Sequence, residues 1–552
     1  MCAVVHSSYK NVMGFPMIEL IVKYHGEIEQ LRVVFPNILI RELLAGYAII
    51  KLDSDDLILL EEQPQIDYIE RPTRIYYELD YAKRASCILN QNGQCGDVQR
   101  TDLTGKGVLV GVIDSGIDIF SSLFRHTDGT TRIKCFFDQQ SDQMFYTEED
   151  INQLLLDDSV RGNFDYSGHG TAVAAIIAGC SDFYQGVASE SELVVVRLAG
   201  SEESDFPMTS QLMVGIDDCI RFALTMNMPI CINISIGNTY GSHQGDTLLE
   251  RYMDDVSMIG KNAICVGCGN EGSAGGHAFI RFLSNVRNQI EDIELIVGDT
   301  ERSLEIQIWM HYEDSFEIAF VTPKEEVLDV NQNSMYPVSE KLIVTSIKTL
   351  PRPYSSSVRI LLVLKPGADT AYVESGIYKI RIKPVQIVVG EVNLYLPSEV
   401  ILSRNTRFLR SDPYGTLTIP STAERVISVG AYDAKTDQYA AFSGRGFEYI
   451  FEDNQAFRFG IFKPVVVAPG VDILTMMKGS FVNVSGTSFA VPFATGVCAL
   501  LMEWGIVRGN DTELYGEKMK AYLQRNARGL IGESKAPNPR TGFGALCFPP
   551  IY

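Results

Sequence analysis

Ser488 has the sequence surroundings of a nucleophile. The segment VNVSGTSFAVPFATGVCALLM, residues 482–502, changes from an extended to a helical pattern close to Gly486 and Thr487. Pro492 follows one turn later, and because proline is tolerated in the first turn of a helix, it predicts a helix that begins near Ser488. The hydroxyl would then lie at the positive end of a helix dipole, which favours a nearby oxyanion. Serine is also a common helix cap, so this segment by itself supports either role.

Asp114 and His169 are candidates for the acid and the base that a serine nucleophile requires. Asp114 ends the apolar run GVLVGVID, and the ends of strands in α/β sheets commonly carry reactive groups. His169 lies between two glycines in DYSGHGTAVAAIIAG, where an apolar helix begins, and the glycines would let another part of the chain approach the imidazole closely. Each residue also has a structural alternative, because aspartate is common in strand-terminal turns and a capping turn can contain a histidine.

The three residues together predict acyl-transfer chemistry. A serine hydroxyl is a weak nucleophile at neutral pH and needs a base within hydrogen-bonding distance, which a third group must orient. The reaction also needs donors for the oxyanion of the tetrahedral intermediate. The glycine-rich segment GCGNEGSAGG presents the side-chain amide of Asn270 after an apolar run, and the backbone N–H of Ser488 would be the second donor. Asn270 taken alone is more typical of a turn.

A parallel sheet is predicted to bring these residues together. From residue 107 the chain alternates apolar runs, typical of strands covered on both faces, with helical patterns. The strands are GVLVGVID, ELVVVRLAG, PICINISIG and NAICVGCGN, and the helices between them include TAVAAIIAG and SQLMVGIDDCIRFALTMN. Such alternation indicates an α/β domain, in which one edge of the sheet can collect Asp114, His169 and Ser488.

Regions with other patterns of predicted helices and strands precede and interrupt this α/β pattern. Residues 1–85 contain a small α+β unit with strand patterns in MIELIVKYHG, GYAIIKLDS and IDYIERP, and residues 86–106 form a linker rich in Asn, Gln and Gly. Residues 279–407 show strand after strand with little helical pattern, which is typical of an antiparallel sandwich. The α/β pattern covers residues 107–278 and resumes over 408–552, so the sequence predicts an all-β domain inserted into an α/β domain.

Composition and charge exclude some classes of function. The 552 residues carry a net charge of −22, which disfavours binding to nucleic acid. The N-terminal segment lacks the features of a secretory signal, and no apolar run approaches the length of a membrane span, so we expect a chain made in the cytoplasm. Eleven scattered cysteines fit reduced thiols. For the close pair Cys265 and Cys268, packing is favoured over metal or redox chemistry, and no metal site is predicted.

Several motifs together resemble those of a known family. In chain order, VGVIDSGID, GHGTAVAAIIAG, NISIGN, GCGNEG and GTSFAVPFATG resemble the motif set of the subtilisin-like serine peptidases, or subtilases, including the order aspartate, histidine, serine. The resemblance implies a subtilisin-like fold in which Asp114 orients His169 and His169 is the general base for the nucleophile Ser488. Asn270 would then be the oxyanion donor.

The same resemblance implies where a substrate binds. Ser235, Ile236 and Gly237 would pair with an extended peptide. The pocket beside the cut bond would be walled by the backbone of four residues that follow the same apolar run, Val266, Gly267, Cys268 and Gly269. The substrate class is therefore a protein or peptide.

The remaining regions resemble those of the Csp subtilases of spore-forming clostridia and relatives. That family has an N-terminal ferredoxin-like propeptide and a jelly-roll-like domain inserted into the catalytic domain. The resemblance implies self-cleavage between propeptide and enzyme, which we place near Ala85 and Ser86, with the cleaved propeptide retained non-covalently. It also implies a role in germination, in which the enzyme, incorporated into the spore, activates the precursor of a cortex-lytic hydrolase. The segment around Ala85 and Ser86 has an alternative interpretation as a linker only.

Three functions stay open at this stage. One is the maturation endopeptidase just described, and another is a subtilase of general intracellular protein turnover. The third is a regulatory binding protein whose propeptide blocks the cleft while the β insertion binds a partner. Some Csp proteins have lost residues of the triad, whereas all three positions are intact here. The chemistry requires no cofactor, and the acidic loops offer candidate ligands for structural calcium.

Overall fold

The structure, a computed structural model, divides the chain into two units, Met1–Thr73 and Arg74–Tyr552. Asp114, His169, Asn270 and Ser488 all belong to the second unit. The residues that the structure describes are 17–73, 76–77, 80–81, 102–141, 145–157, 162–182, 184–200, 206–283, 289–368, 370–447, 451–452, 455–456 and 462–548.

The N-terminal unit is a four-stranded antiparallel sheet with two short helices. Its elements are β1 (Met17–Tyr24), α1 (Leu31–Val34), β2 (Leu39–Leu43), β3 (Tyr47–Asp53), α2 (Leu57–Glu61) and β4 (Ile66–Glu70). The strand order is β2-β3-β1-β4. Side chains alternate along a strand, so Leu20 and Val22 of β1 reach one core, where they join Leu31 of α1 and Leu60 of α2. This confirms the predicted ferredoxin-like unit.

The second unit begins with the elements that carry the predicted acid and base. They are β5 (Tyr76–Tyr77), β6 (Asp80–Tyr81), β7 (Leu109–Asp114), β8 (Ile133–Asp138), β9 (Phe145–Thr147), α3 (Glu148–Leu156), α4 (His169–Ala178), β10 (Glu192–Arg197), α5 (Thr209–Met226), β11 (Ile230–Ile234), β12 (Ile236–Gly237), α6 (Leu248–Val256) and β13 (Asn262–Gly267). Strand β7 is central, because it pairs in parallel with β10 on one side and β11 on the other. All residues of β7 are buried, as expected for a strand covered on both faces.

An antiparallel β domain interrupts the α/β pattern. Its strands are β14 (His277–Arg281), β15 (Glu291–Val297), β16 (Leu304–His311), β17 (Ser315–Val321), β18 (Val327–Asp329), β19 (Ser334–Ser339), β20 (Leu342–Thr349), β21 (Ser357–Lys365), β22 (Gly376–Gln386), β23 (Glu391–Tyr395) and β24 (Arg407–Phe408). They form two sheets, β14-β23-β16-β21-β20-β19 and β18-β17-β22-β15-β24. Both sheets contribute to one core, for example through Ile308 and Leu362 of the first and Phe320 and Ile380 of the second. The predicted antiparallel insertion is confirmed, and its jelly-roll connectivity stays a prediction.

The chain then returns to the parallel sheet. The elements are β25 (Ile427–Asp433), β26 (Gln438–Tyr439), β27 (Phe451–Glu452), β28 (Gln455–Ala456), β29 (Val466–Pro469), β30 (Ile473–Met477), β31 (Ser480–Ser485), α7 (Thr487–Met502) and α8 (Gly516–Asn526). The main sheet has the order β26-β25-β13-β11-β7-β10-β8-β9, with β29 beside β25. Its inner pairs are parallel and its outer pairs with β26 and β9 are antiparallel. The α/β prediction is therefore confirmed across the insertion.

Helix α7 is the buried helix at the centre of this unit. All its residues are buried, and it packs on α4 and on the sheet. In the described part of the chain, the helical stretch Thr487–Val507 alone has the length and hydropathy, 1.7, of a membrane-crossing helix. Because 83% of its most apolar window is buried inside the protein, its composition is that of a core helix.

The short strands β5 and β6 lie along two parts of the second unit that flank Ser488. Strand β5 pairs antiparallel with β12, with Tyr77 opposite Ile236 and Tyr76 opposite Gly237. Strand β6 extends the hairpin of β30 and β31. The chain that leads from the N-terminal unit to β7 therefore adds one strand at each of these places.

Candidate active site

Asp114 and His169 form a hydrogen-bonded pair in the interior. Nδ1 of His169 lies 2.7 Å from Oδ1 of Asp114, and neither side chain is exposed to solvent. Asp114 ends the central strand β7, and His169 is the first residue of α4. The carboxyl end of the sheet thus meets the amino end of a helix, as the sequence predicts for this pair.

Glycines on both sides of His169 make this approach possible. Gly168 caps α4 with a φ of 78°, a conformation that L side chains rarely adopt. A side-chain carbon at Gly170 would lie 2.1 Å from the carbonyl oxygen of Gly116 and 3.1 Å from Cβ of Asp114. The absence of side chains at both positions lets α4 start directly against the loop that follows β7.

A second carboxylate, that of Asp165, holds the start of α4. It accepts hydrogen bonds from the N–H groups of Gly168 and Thr171, both at 2.8 Å, and from the hydroxyl of Ser115 at 2.7 Å. Ser115 in turn accepts from the N–H of Gly170 at 3.0 Å. Sequence reasoning missed Asp165, although an aspartate just before a helix is a capping signal that could have found it.

The electrostatics of the pair favour a basic imidazole. Burial by itself lowers the pKa of an imidazole, but the charge of Asp114, the hydrogen bond to it and the charge of Asp165 hold the pKa of His169 above its ordinary value. Oδ1 of Asp114 also accepts the N–H of Ser115 at 2.7 Å, which fixes the carboxylate. The arrangement suits a general base, because His169 can take up a proton and hold it until a later step of a reaction requires it.

Ser488 is the second residue of α7 and is joined to Ser235 by two hydrogen bonds. The hydroxyl of Ser488 donates to the carbonyl oxygen of Ser235 at 3.1 Å. The hydroxyl of Ser235 donates to the carbonyl oxygen of Ser488 at 3.0 Å. These bonds fix the start of α7 beside the segment that connects β11 to β12.

Pro492 is accommodated differently from the sequence prediction. It is the sixth residue of α7, so it lies in the second turn and not in the first. In a regular helix the N–H of residue 492 would donate to the carbonyl of Ser488, and proline has no N–H. The hydroxyl of Ser235 takes that place at 3.0 Å. The predicted helix start near Ser488 is confirmed, but the reason that proline is tolerated is this tertiary hydrogen bond.

A buried polar chain supports Ser235. The side-chain amide of Asn233 donates to the hydroxyl of Ser235 at 2.9 Å, and the hydroxyl of Thr495 donates to Oδ1 of Asn233 at 2.9 Å. None of the three side chains is appreciably exposed. Sequence reasoning missed Asn233 and Thr495, although a polar residue within the otherwise apolar strand β11 was a visible signal.

The structure brings the predicted base and the predicted nucleophile to the same place. Helices α4 and α7 pack together, and each presents its first turn to this end of the sheet. The ring of His169 lies 5.4 Å from the ring of Phe489, which follows Ser488 in the chain. Asp114, His169 and Ser488 therefore converge from distant parts of the sequence, and their catalytic roles remain predictions.

Asn270 faces the amino end of α7. Its Oδ1 accepts the N–H of Thr487 at 3.0 Å, which leaves the NH₂ group as the donor end of the amide. A side-chain carbon at Gly486 would lie 3.5 Å from Nδ2, so the amide lies beside the turn that leads to Ser488. The first N–H groups of a helix have no partners within the helix. Asn270 and the N–H of Ser488 thus form a suitable pair of donors for an oxyanion.

The predicted walls of the substrate pocket approach each other through Thr418. Val266 and Gly267 lie in β13, and Cys268 follows it. A side-chain carbon at Gly269 would lie 2.3 Å from Cγ2 of Thr418, and one at Gly237 would lie 2.9 Å from its Oγ1. Thr418 therefore fills the space between the two glycine-containing segments. Nothing in its local sequence, TLTIPST, marks this position, so only the tertiary structure finds it.

Other sequence predictions have different outcomes. Ala85 and Ser86 lie outside the described residues. Cys265 and Cys268 are both buried, and Sγ of Cys265 lies 3.9 Å from Sγ of Cys498, as expected of packed thiols. Among the residues that the structure describes, no group of three or more His, Cys, Asp or Glu side chains is arranged to hold a metal ion.

Replacement of Asn270 by alanine should reduce kcat by about 10²- to 10³-fold, which corresponds to the loss of one oxyanion donor. KM should change little, because the donor acts on charge that develops only in the transition state. Steady-state kinetics of the processed enzyme on a peptide substrate measure both constants. As a comparison, Thr487→Val removes the 3.3 Å bond from the threonine hydroxyl to Oδ1 of Asn270 and the 3.1 Å bond that this hydroxyl accepts from the N–H of Gly269. It leaves the amide of Asn270 in place, so its loss in kcat should be smaller. If kcat falls equally in both variants, the amide of Asn270 is not a direct donor to the oxyanion.

Glu271, which follows Asn270 in the chain, joins the segment after β13 to the end of the inserted domain. Its buried carboxylate accepts the hydroxyl of Ser398 and, at 3.3 Å, the N–H of Glu399. Ser398 and Glu399 follow β23, the last long strand of the insertion. Burial raises the pKa of Glu271 to about 7, although both hydrogen bonds act in the opposite direction.

The raised pKa predicts how stability depends on pH. Because the carboxyl of Glu271 holds its proton more tightly in the folded than in the unfolded chain, its contribution to stability is present below the ordinary value of 4.5 and is lost as the pH rises through about 7. Between pH 5 and 8 the free energy of unfolding of wild type should fall by on the order of 3 kcal/mol more than that of Glu271→Gln. Denaturant unfolding at both pH values measures the difference, with Glu340→Gln, a change at an exposed glutamate that does not act on Glu271, as control. If the stability of Glu271→Gln changes with pH as much as that of wild type, the raised pKa of Glu271 is not the cause of the pH dependence.

The geometry can be compared with known proteins. Residues 105–285 and 409–544 match the subtilase family, and residues 7–73 match the Csp protease B prodomain. The gap between the two subtilase ranges corresponds to most of the inserted β domain. Together, the subtilase ranges cover more than half of the chain.

Individual relatives agree with these matches. Subtilisin-like protease 5 of Trichophyton tonsurans is 28% identical over 206 residues, which are 36% of this chain and 44% of that protein. Subtilisin-like protease 4 of the same organism is 26% identical over 212 residues, with the same two shares. The chain thus spans less than half of the length of these curated relatives.

A solved structure matches most of the chain. The CspB protease of Clostridium perfringens superposes with a TM-score of 0.73 at 32% identity, over 81% of this chain and 92% of that protein. The part of this chain that superposes on that structure is larger than the part that matches the subtilase family. The chain therefore belongs to the subtilase family and is a subtilisin-like peptidase of the Csp type, with a CspB prodomain at its N-terminus.

Proposed function

We propose that this protein is a serine endopeptidase that cleaves off its own prodomain and then activates a precursor protein by limited proteolysis. One observation carries the catalytic part. The buried Asp114–His169 pair, with 2.7 Å between Oδ1 and Nδ1, lies at the same end of the sheet as the helix start that bears Ser488. An acid, a base and a hydroxyl in that order are the groups that acyl transfer from a peptide requires.

Each residue has a distinct part in the proposed reaction. His169 takes the proton of Ser488 as the hydroxyl oxygen attacks the peptide carbonyl carbon, while Asp114 holds the imidazole in the required tautomer and stabilises its charged form. Asn270 and the N–H of Ser488 donate to the oxyanion. The protonated His169 then gives its proton to the leaving amine. Water attacks the acyl-enzyme by the same route in reverse and releases a carboxylate.

The substrate is proposed to bind as an extended strand. Strand β12 already pairs antiparallel with β5, which supports a site where a peptide adds a strand through main-chain hydrogen bonds. Ile236 and Gly237 would bind the residues on the acyl side of the cut bond. The side chain next to that bond would lie beside the backbone of residues 266–269, and Thr418, which fills the space between Gly237 and Gly269, would limit the depth of the pocket.

The biological substrate is proposed from the Csp type of the chain. The CspB prodomain match and the structural similarity to the CspB protease support a role in germination, with the precursor of a spore cortex-lytic hydrolase as the protein that is cut. The enzyme would act in the spore, and the cleaved prodomain would remain bound to it non-covalently.

Two measurements separate this proposal from the other candidate functions. A fluorophosphonate probe should label wild-type protein at Ser488, whereas a regulatory binding protein with a misaligned or blocked site would stay unlabelled. The labelled enzyme should cut the hydrolase precursor at one position and leave unfolded casein largely intact. Broad degradation of casein would instead indicate a turnover protease and would refute the maturation role.

The pKa of His169 predicts the pH dependence of hydrolysis. Because only neutral imidazole can accept the proton of Ser488, kcat/KM should rise as His169 loses its proton and should fall as the pH drops through its pKa. That pKa lies above the ordinary value of 6.5, since the attraction of Asp114 outweighs burial. A pH series of kcat/KM on a short peptide should therefore give an acidic limb centred above pH 6.5. A midpoint below 6.5 would contradict the proposed environment of the base.

A further inference from the structure

We infer that His243 and Tyr395 are positioning residues of the substrate pocket, because together they hold the segment that carries Thr418. Through that segment they set how large a side chain the enzyme accepts next to the cut bond. This inference rests on the proposed function, since it concerns the pocket of that site, and it names what fixes the depth of the pocket. Neither residue lies in the motifs that resemble those of the subtilases.

Main-chain hydrogen bonds hold the segment of Thr418 on two sides. The N–H of Thr418 donates to the carbonyl oxygen of Cys268 at 3.0 Å. The next residue, Ile419, exchanges two hydrogen bonds with Asn238, at 2.8 and 3.0 Å. Asn238 directly follows strand β12, so the segment is bound both to the end of the substrate strand and to the wall that follows β13. The carbonyl oxygen of Leu417 is left for a further donor.

The imidazole of His243 supplies that donor. Its Nδ1 lies 2.6 Å from the carbonyl oxygen of Leu417, and its Nε2 lies 3.1 Å from that of Thr239. Burial lowers the pKa of His243 to about 4, so the ring is uncharged at neutral pH and has a single N–H to donate. The shorter contact assigns this N–H to Nδ1. The ring therefore joins the loop after β12 to the residue that precedes Thr418.

The backbone of His243 is strained in this position. Its φ is 58°, in the left-handed region that residues other than glycine adopt infrequently. The side chain is also buried, with 4% of its surface exposed. Such conformations persist where the surrounding structure over-determines them, and they are concentrated at functional sites. The strain supports a role in which the exact place of the ring matters.

Tyr395, the last residue of β23, fixes the ring of His243. The two rings stack with their centroids 3.9 Å apart and 14° between their planes. The hydroxyl of Tyr395 donates to the carbonyl oxygen of Gly415 at 3.2 Å, in the segment that leads to Thr418. The ring of His277 on β14 also stacks on Tyr395, at 4.6 Å and 18°. The inserted domain thus contributes side chains that hold this segment.

A fixed Thr418 makes the pocket shallow. A side-chain carbon at Gly269 would lie 2.3 Å from its Cγ2, so the threonine fills the space beside the wall. Room for a single methylene in such a pocket changes kcat/KM by about 10- to 200-fold. We therefore expect wild type to prefer a small side chain next to the cut bond, and a loosened segment to weaken that preference.

Two peptides that differ only in the residue on the acyl side of the cut bond, alanine or phenylalanine, test the inference on processed enzyme. Wild type should cut the alanine peptide with the higher kcat/KM. His243→Leu removes the N–H donor, and the ratio of the two kcat/KM values should fall by on the order of tenfold. The fall should come from a lower KM for the phenylalanine peptide, because a pocket wall acts on ground state and transition state alike.

The conservative variant at this position isolates the hydrogen bond. His243→Asn places an amide N–H near the position of Nδ1, and asparagine tolerates a positive φ. It should keep more of the wild-type ratio than His243→Leu. Because one sample cuts both peptides, the ratio does not depend on the fraction of molecules that are folded. Equal falls of the ratio in the two variants would overturn the inference.

Variants of Tyr395 give a second test from the side of the inserted domain. Tyr395→Leu removes the stacked ring and should lower the ratio as His243→Leu does. Tyr395→Phe keeps the ring and removes the hydroxyl that donates to Gly415, so its ratio should fall less. Tyr312→Leu, at an exposed tyrosine of the same domain, is the control and should leave the ratio unchanged.

A double variant tests whether His243 acts through Thr418. Thr418→Ala should by itself weaken the preference for the alanine peptide, because it removes the atoms that fill the pocket. His243→Leu in that background should lower the ratio little further, since coupled residues are not additive. A further fall as large as that in the wild-type background would show that His243 acts elsewhere, and would overturn the inference.

The remaining outcomes separate the inference from the proposed function. The inference is overturned if wild type does not prefer the alanine peptide, or if the ratio is unchanged in His243→Leu and Tyr395→Leu. It is also overturned if kcat/KM falls equally for both peptides, because the two residues then support the fold alone. In each of these cases the proposed function stands. A wild type that cuts neither peptide and does not react with a fluorophosphonate would refute the proposed function, and the inference with it.

Discussion

Alanine at position 488 is expected to abolish self-cleavage and reaction with a fluorophosphonate. Loss of the hydroxyl removes the group that would form the acyl-enzyme, and loss of a triad residue costs on the order of 10⁴- to 10⁶-fold in kcat. At that rate the variant should be recovered as one chain over a period in which wild type is fully processed. Intact mass of both proteins, taken side by side after purification, measures the outcome.

The fold should survive this change. Ser488 is buried, and the change removes one donor to the carbonyl of Ser235, whereas the reciprocal bond from Ser235 to the backbone of residue 488 remains. The loss of one such bond costs about 1 kcal/mol. Ser480→Ala, an exposed serine on the strand that leads to α7, is a matched control and should be processed normally. Fragments in Ser488→Ala at the wild-type rate would show that another residue, or another protease, makes the cut.

Asn in place of Asp114 is expected to lower kcat by about 10⁴-fold while the protein remains folded. The carboxylate accepts Nδ1–H of His169 and thereby keeps Nε2 free of hydrogen, ready to take the proton of Ser488. In the described part of the chain Oδ2 of Asp114 is buried without a hydrogen-bond partner. An NH₂ group placed there would also lack an acceptor and would tend to turn towards Nδ1, which selects the wrong tautomer.

The pH profile distinguishes this mechanism from a general loss of structure. Removal of the Asp114 charge removes a cause that raises the pKa of His169, so the acidic limb of kcat/KM in the variant should move to lower pH. Asp118→Asn, on the same loop, removes an equal charge and should leave kcat close to wild type. Its carboxylate accepts the N–H of Phe120 at 3.1 Å, and the acidic groups that raise the pKa of His169 are Asp114 and Asp165. An acidic limb that stays in place in Asp114→Asn would contradict the proposed pairing.

Much of the fold could be predicted because its signals are local. Strands such as LVGVID are apolar throughout because both faces are covered, and the Gly-His-Gly turn is small because α4 starts against the loop after β7. The change from helical to strand-only patterns near residue 279 marks the insertion, since a sandwich needs no helix to cover its strands. Each of these features depends on neighbours within a few residues.

The features that the sequence does not predict correctly depend on contacts between distant parts of the chain. The sequence predicts that Pro492 is tolerated because it lies in the first turn of the helix, but its missing N–H is compensated by the hydroxyl of Ser235, which is 253 residues away from Ser488. Thr418 carries no local motif that separates it from ordinary turn residues, and the local signals of Asp165 and Asn233 do not show which distant groups they contact. Their contacts, such as that between Thr418 and Gly269, arise from packing between distant segments.

The sequence by itself determined the types of group available for chemistry, the elements that carry them and the interruption of the α/β domain by an antiparallel one. The tertiary structure decided which groups meet: which carboxylate holds the imidazole, which hydroxyl replaces the helix hydrogen bond at Pro492 and which stretch of chain lies along β12 and β31. The physical reason is that hydrophobic periodicity and turn chemistry are set by neighbouring residues, whereas the hydrogen bonds of a buried site join segments whose distance and register exist only once the sheet has formed.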